Sequence, residues 1–122
     1  MYIEIDFNSD EAIYIQLRNQ IIVGIATSQL KEGESLPSVR SLADEIGVNM
    51  HTVNKAYSSL RQEGFLKVDR RRGAVVSVSI DKMEHIAKIR DALKPAIASC
   101  IAKGISKDEV QEMIGQLYDE MT

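Results

Sequence analysis

The stretch SVRSLADEIGVNMHTVNKAY, Ser38 to Tyr57, sets two short helical patterns end to end with only Gly47, Val48 and Asn49 between them. Ser38 carries the side chain of an N-cap. Val39, Leu42, Ala43 and Ile46 follow at i, i+3, i+4 and i+7, one apolar stripe of a helix that Gly47 ends. Asn49 is placed to cap the next helix, where Val53, Ala56, Tyr57 and Leu60 repeat the spacing until Gly64. A turn this tight lets the first helix brace the second, whose exposed N-terminal residues can then enter the major groove of DNA.

Working outward, FLKV, the basic tip DRRRG and AVVSVSI read as two strands joined by a short turn. On the other side, Tyr2 to Phe7 alternate in polarity and predict a short edge strand. Asp10 is expected to cap a first helix running to about Ser28, with Ile13, Leu17, Ile21 and Ile25 as its buried row. KEGESLP then reads as a turn. The expected fold is mainly α with a small β-wing, a winged helix-turn-helix over residues 1–80.

From Asp81 the pattern changes without a flexible linker. Ile86, Ile89, Leu93, Ala96 and Cys100 recur at steps of three and four, with Ile97 beside them, as a short heptad-like seam. Pro95 lies inside that helix and should bend it near Asp91 to Pro95. After Gly104, Ser106 and Glu109 form a capping box for a last helix with Val110, Met113, Ile114, Leu117 and Met121 on one face. Residues 81–122 are therefore expected to be a two-helix dimerisation tail that pairs two copies of the chain.

The chain has 122 residues, 44% of them hydrophobic, enough for a core without metal or disulfide help. Its one cysteine, Cys100, excludes an intrachain disulfide and favours a reducing, cytoplasmic setting; a small hydrophobe on the tail seam is its simplest reading. The acidic N-terminus has no signal-peptide pattern, and no segment has the apolar length of a membrane span, so neither secretion nor a membrane partner is expected. Net charge is −3, but unevenly spread: −4 over residues 1–37, +3 over 38–80 and −2 over 81–122. A local positive field inside an acidic protein can still steer it onto DNA.

The candidate site follows from that field. The polar face of the second helix carries His51, Thr52, Asn54 and Lys55, with Asn49 at its cap and Arg40 just inside the helix before. Short polar and cationic side chains of this kind read base edges. Arg70, Arg71 and Arg72 stand before Gly73 at the hairpin tip, where like charges gather for an anion, and they suit phosphate and the minor groove. The plainer alternative for any one polar residue of the helix is solvated surface. Tyr57 belongs to the apolar stripe, although its hydroxyl could emerge to reach a phosphate.

His51 and His85 lie apart and have no carboxylates in a metal-site pattern, so no metal or other cofactor is expected. The chain also lacks a phosphate-binding glycine loop, a nucleophile elbow and a metalloprotease motif, which argues against an enzyme. A competing class is a winged helix serving as a protein adaptor, its basic wing docked on an acidic partner. An effector-sensing switch would need a pocket. The two-helix tail is too small to enclose a sizeable metabolite, which leaves only a small ligand or metal at the dimer interface.

The run LKEGESLPSVRSLADEIGVNMHTVNKAYSSLRQEGFLKV, followed by RRRGAVV, resembles the N-terminal winged-helix domain of GntR-type bacterial transcription regulators, over about residues 8 to 78. The short tail is similar to that of the YtrA subfamily. The resemblance implies that Arg40 contacts DNA after the LPS turn. It places Asn49, His51, Thr52 and Lys55 on the recognition helix, and Arg72 with Gly73 at the wing tip. It further implies a homodimer on a palindromic operator, commonly a repressor, often of neighbouring transporter genes. Met50 and His51 depart from the usual residues at their positions, so the operator sequence does not carry over; Arg71 stands where a wing glycine is usual, adding charge and removing backbone freedom, and Ser41 replaces the glutamate that would complete a capping box with Ser38.

Overall fold

The computed structural model describes residues 1–122. In chain order it contains α1 (Ile13–Ala26), α2 (Val39–Ile46), α3 (Met50–Gln62), β1 (Leu66–Asp69), β2 (Gly73–Val76), α4 (Lys82–Ala102) and α5 (Lys107–Met121). Two compact units result, Met1–Ser79 and Ile80–Thr122.

In the first unit the helix ends follow local chemistry. The Ser38 hydroxyl accepts from the Ser41 N–H at 3.1 Å, and the Asn49 side chain accepts from the His51 N–H at 2.7 Å. Between them Gly47 ends α2 at φ +72°, in the left-handed region where a Cβ is penalised. The apolar stripes of α2 and α3 are buried as expected, α3 packing against both α1 and α2: Leu17, Ile21, Val53, Ala56 and Leu60 are fully buried, with Leu42 and Ala43 nearly so. Ile13 and Ile25, at the two ends of the α1 row, are half-buried. Arg18 on α1 pairs with Glu63 at the end of α3, which raises the Arg18 pKa above its ordinary value through that hydrogen bond.

The N-terminus departs from the expectation. Residues Tyr2 to Phe7 form no strand. The segment lies along α1 and takes its backbone partners from two glutamines one turn apart: the Glu4 N–H donates to Gln20 Oε1 and the Asp6 N–H to Gln16 Oε1, both at 2.9 Å. The same glutamines donate back to the Glu4 and Asp6 carbonyls. Alternation survives at Ile3 and Ile5, which lie against the core, and fails at Phe7, expected on the same side but exposed; side-chain amides stand where a neighbouring strand would be. Asp10 does not cap α1 either. The N-cap position is Ala12, with no side-chain bond, because Asn8 and Glu11 are drawn into turns by Asp6 and Ser9. At its other end α1 stops at Ala26, short of Ser28.

β1 and β2 pair antiparallel, Leu66 opposite Val76 and Asp69 opposite Gly73. The segment read as a plain turn, KEGESLP, supplies a second partner along β2. The Gly33 N–H donates to Val76, the Val76 N–H to Glu34 and the Leu36 N–H to Ala74, at 2.8 to 2.9 Å. β2 is shorter than its apolar run. Past Val76 the chain bends so that the Ser79 N–H reaches the Gly64 carbonyl at 2.7 Å. Gly64 is required there, because a Cβ would come within 2.8 Å of Ser79 Cβ and its φ is +84°.

In the second unit α4 runs unbroken through Pro95. The capping box of α5 forms as read: the Glu109 N–H donates to the Ser106 hydroxyl, and the Ser106 N–H to the Glu109 carboxylate. Val110 is the single buried hydrophobic residue of this unit. No helix of the protein is long and apolar enough to cross a membrane.

Candidate nucleic-acid interface

α3 is clamped on its apolar side and free on the other. Its N-terminal turn exposes His51, Asn54 and Lys55, with Thr52 half-buried at the edge, and Arg40 is exposed on the second residue of α2. Asn49 is exposed too, with one lone pair of its side-chain oxygen committed to the helix cap, which leaves the amide N–H groups and the second lone pair to meet a ligand.

The polar face divides into two directions. Lys55 Nζ lies 4.1 Å from the centre of the Tyr14 ring, so this cation leans toward α1 across a cation–π contact. Asn54 turns the other way and lines a cleft between α3 and β1, together with Ser58 and Arg61 from the following turns and Lys67 from the strand. Of these, the sequence reading singled out only Asn54. The signal was present, since Asn54, Ser58 and Arg61 stand at i, i+4 and i+7. It could be used only once β1 was seen beside that stripe.

Tyr57 is 7% exposed, and its hydroxyl donates to the Pro37 carbonyl at 2.8 Å. The possibility that this hydroxyl reaches a phosphate is thereby corrected: it fastens the turn ahead of α2 to α3. Burial pushes the phenol well above its ordinary value.

The wing turn is built by a carboxylate. Asp69 accepts the Arg71 N–H at 2.8 Å and the Arg72 N–H at 3.2 Å. Those two backbone bonds, the Arg71 one first, hold its carboxyl below the ordinary carboxylate value. With the backbone so pinned, Arg70 and Arg71 are exposed and in no ion pair, while the Arg72 guanidinium donates to the Gly33 carbonyl and ties the tip back to the loop before α2. Gly73 opens β2 at φ +74°. Three adjacent arginines thus divide into two free cations and one anchor that keeps further donors in reserve. A free helix face beside a cationic hairpin presents a polar surface with concentrated positive charge, which suits a polyanion with readable edges.

In the second unit Ile86, Ile89, Leu93, Ala96 and Ile97 are exposed on one side of α4, and Cys100 is half-buried. A groove of about 1060 Å³ is lined by Ile86, Ile89, Leu93 and Ile97 but not by Ala96 or Cys100, and it includes Ile101 and Tyr118, which the seam reading did not include.

Residues 10–76 match the family model described as bacterial regulatory proteins, gntR family. The chain is 32% identical to the HTH-type transcriptional repressor YtrA of Bacillus subtilis, over 94% of this chain and 91% of that one. Among solved structures, it is similar to YtrA from Sulfolobus acidocaldarius, a GntR-family transcription factor, at 42% identity and a TM-score of 0.60, covering 97% of each chain. It also superposes on a transcriptional antiterminator from Listeria monocytogenes EGD-e with a TM-score of 0.88 at 27% identity, over 99% of this chain and 92% of that one.

Proposed function

The chain belongs to the GntR family of bacterial regulatory proteins, and we propose that it is a repressor that binds a palindromic operator as a homodimer. It is a DNA-binding transcriptional regulator and not an enzyme. In the proposed complex the exposed turn of α3 enters the major groove, Arg40 meets the adjoining backbone, and the arginine-tipped wing reaches the neighbouring minor groove. Asn54, His51 and Thr52 supply base contacts, and Lys55, Arg70, Arg71 and Arg72 supply phosphate and minor-groove contacts.

The observation that carries the dimer is the second unit. Its residues bury one hydrophobic side chain, Val110, while Ile86, Ile89, Leu93 and Ile97 are 36 to 65% exposed along one helix. A unit of this size has no core of its own, and each such side chain gains about 1.5–3 kcal/mol when fully buried. A second copy laid on the same row completes the core and, by two-fold symmetry, offers two recognition helices. Repression is the role printed for the Bacillus subtilis YtrA relative; it belongs to the same proposal, as do a cytoplasmic location and control of transporter genes, the latter implied by the resemblance to the short-tailed branch of the family.

Selection of bound sites from a random DNA pool tests it, with sedimentation of the free protein alongside. The expected outcome is a dimer and an inverted repeat whose half-sites lie about 10 base pairs apart, or a multiple of that. A monomer selecting single, unpaired sites refutes the dimeric reading, and no enrichment at all refutes operator binding.

A further inference from the structure

We propose that the cleft between α3 and β1 is a seat for one sugar–phosphate strand, with Arg61 and Lys67 as its phosphate ligands. This rests on the docking proposed above, with α3 in the major groove and the wing in the adjacent minor groove. Those two grooves are separated by one sugar–phosphate strand. A protein that fills both has to receive that strand between its helix and its hairpin.

The space is there and its chemistry fits. The cleft holds about 290 Å³. Its lining includes Pro37 and Val39, which suit the C–H faces of deoxyribose, and Asn54, Ser58, Arg61 and Lys67. Arg61 and Lys67 are both exposed, on opposite walls, and neither is in an ion pair. The nearby carboxylate on the wing, Asp69, is engaged first by the Arg71 and Arg72 N–H groups, and its charge acts on Lys67 without closing an ion pair. Tyr57, with its hydroxyl held by Pro37, forms a fixed wall. Cations on both sides of a strand neutralise phosphates whatever the bases are, so the seat sets register and affinity without sequence preference.

The test uses the full chain and two labelled duplexes, one carrying the selected repeat and one scrambled, titrated by fluorescence anisotropy over a series of salt concentrations. Arg61→Met and Lys67→Met are each expected to flatten the slope of log K against log salt by about 0.9, and to weaken both duplexes by the same factor. Ser58→Leu narrows the cleft without touching charge and is expected to weaken both duplexes equally. Lys103→Met, in the second unit, has the same charge change and is expected to leave the slope as it was. Wild-type slopes in Arg61→Met and Lys67→Met, with a changed slope in Arg70→Met, overturn the seat and leave the docking standing. An equal fall in Lys103→Met also overturns it, because net charge then explains the effect. If wild-type protein binds neither duplex at low salt, the docking reading itself fails.

Discussion

Tyr57→Phe removes one oxygen, and the structure says what that oxygen does. It donates to the Pro37 carbonyl at 2.8 Å from a side chain that is 7% exposed. Without it the carbonyl loses its partner, and a buried unsatisfied acceptor costs about 1–3 kcal/mol. Pro37 is half-buried, so water recovers part of the loss, and about 1–2 kcal/mol is expected to remain. For a unit this small each kcal/mol moves Tm by roughly 4–8 °C, so the midpoint should fall by about 5–15 °C. Calorimetry on the full chain at one fixed concentration measures it, because association shifts Tm by mass action. Alkali adds a second handle. Burial raises the Tyr57 phenol above its ordinary value of 10.0, so the unfolded chain ionises first. The stability this tyrosine contributes is complete below about pH 10 and is lost as pH climbs beyond it. The gap between wild type and Tyr57→Phe should therefore close in alkali. Equal midpoints at neutral pH, or a gap that stays constant between about pH 8 and pH 11, would refute the role given to this hydroxyl.

Three further outcomes are expected. In Gln16→Ala the Asp6 amide loses its partner, so its hydrogen-exchange protection should collapse while the Glu4 amide, held by Gln20, is affected less; unchanged protection at Asp6 contradicts the glutamine clasp. Leu93→Asp places a charge in the middle of the exposed α4 row and should weaken self-association by more than a hundredfold, since burying an unpaired charge costs at least about 3 kcal/mol; sedimentation showing an unchanged dimer sinks the assignment. The Asp69 carboxyl is held below its ordinary value of 3.8, so the wing turn should persist down through that pH and loosen only as pH falls through the lowered value; an amide-shift titration of Arg71 and Arg72 with a midpoint at or above 3.8 speaks against it.

Much of both units is legible in one dimension because the signals are local. Ser38, Asn49 and Ser106 cap helices with hydrogen bonds that span two or three residues, so each cap and each start can be read from a short window. Gly47 ends α2 because only a residue at ease with positive φ suits that place. The apolar stripes of α2 and α3 point to their own buried faces for the same reason, a period of 3.6 residues. The basic tip was visible as composition.

The misreadings share a different cause. Tyr2 to Phe7 alternate like a strand, but a strand needs a partner strand. The partner turned out to be Gln16 and Gln20, 10 and 16 residues away, and no window over the N-terminus contains them. The segment before α2 looks like a turn by composition, yet it pairs with β2 some 40 residues later. Lys55 and Asn54 are neighbours on the polar face of α3, and periodicity cannot say that one leans onto Tyr14 while the other faces β1. Nor can it separate Arg72, tied to Gly33, from the two free arginines before it. Caps, stripes and breaks depend on residues within one or two turns and are written in the chain; partners across the fold depend on which surfaces meet, which exists only after packing.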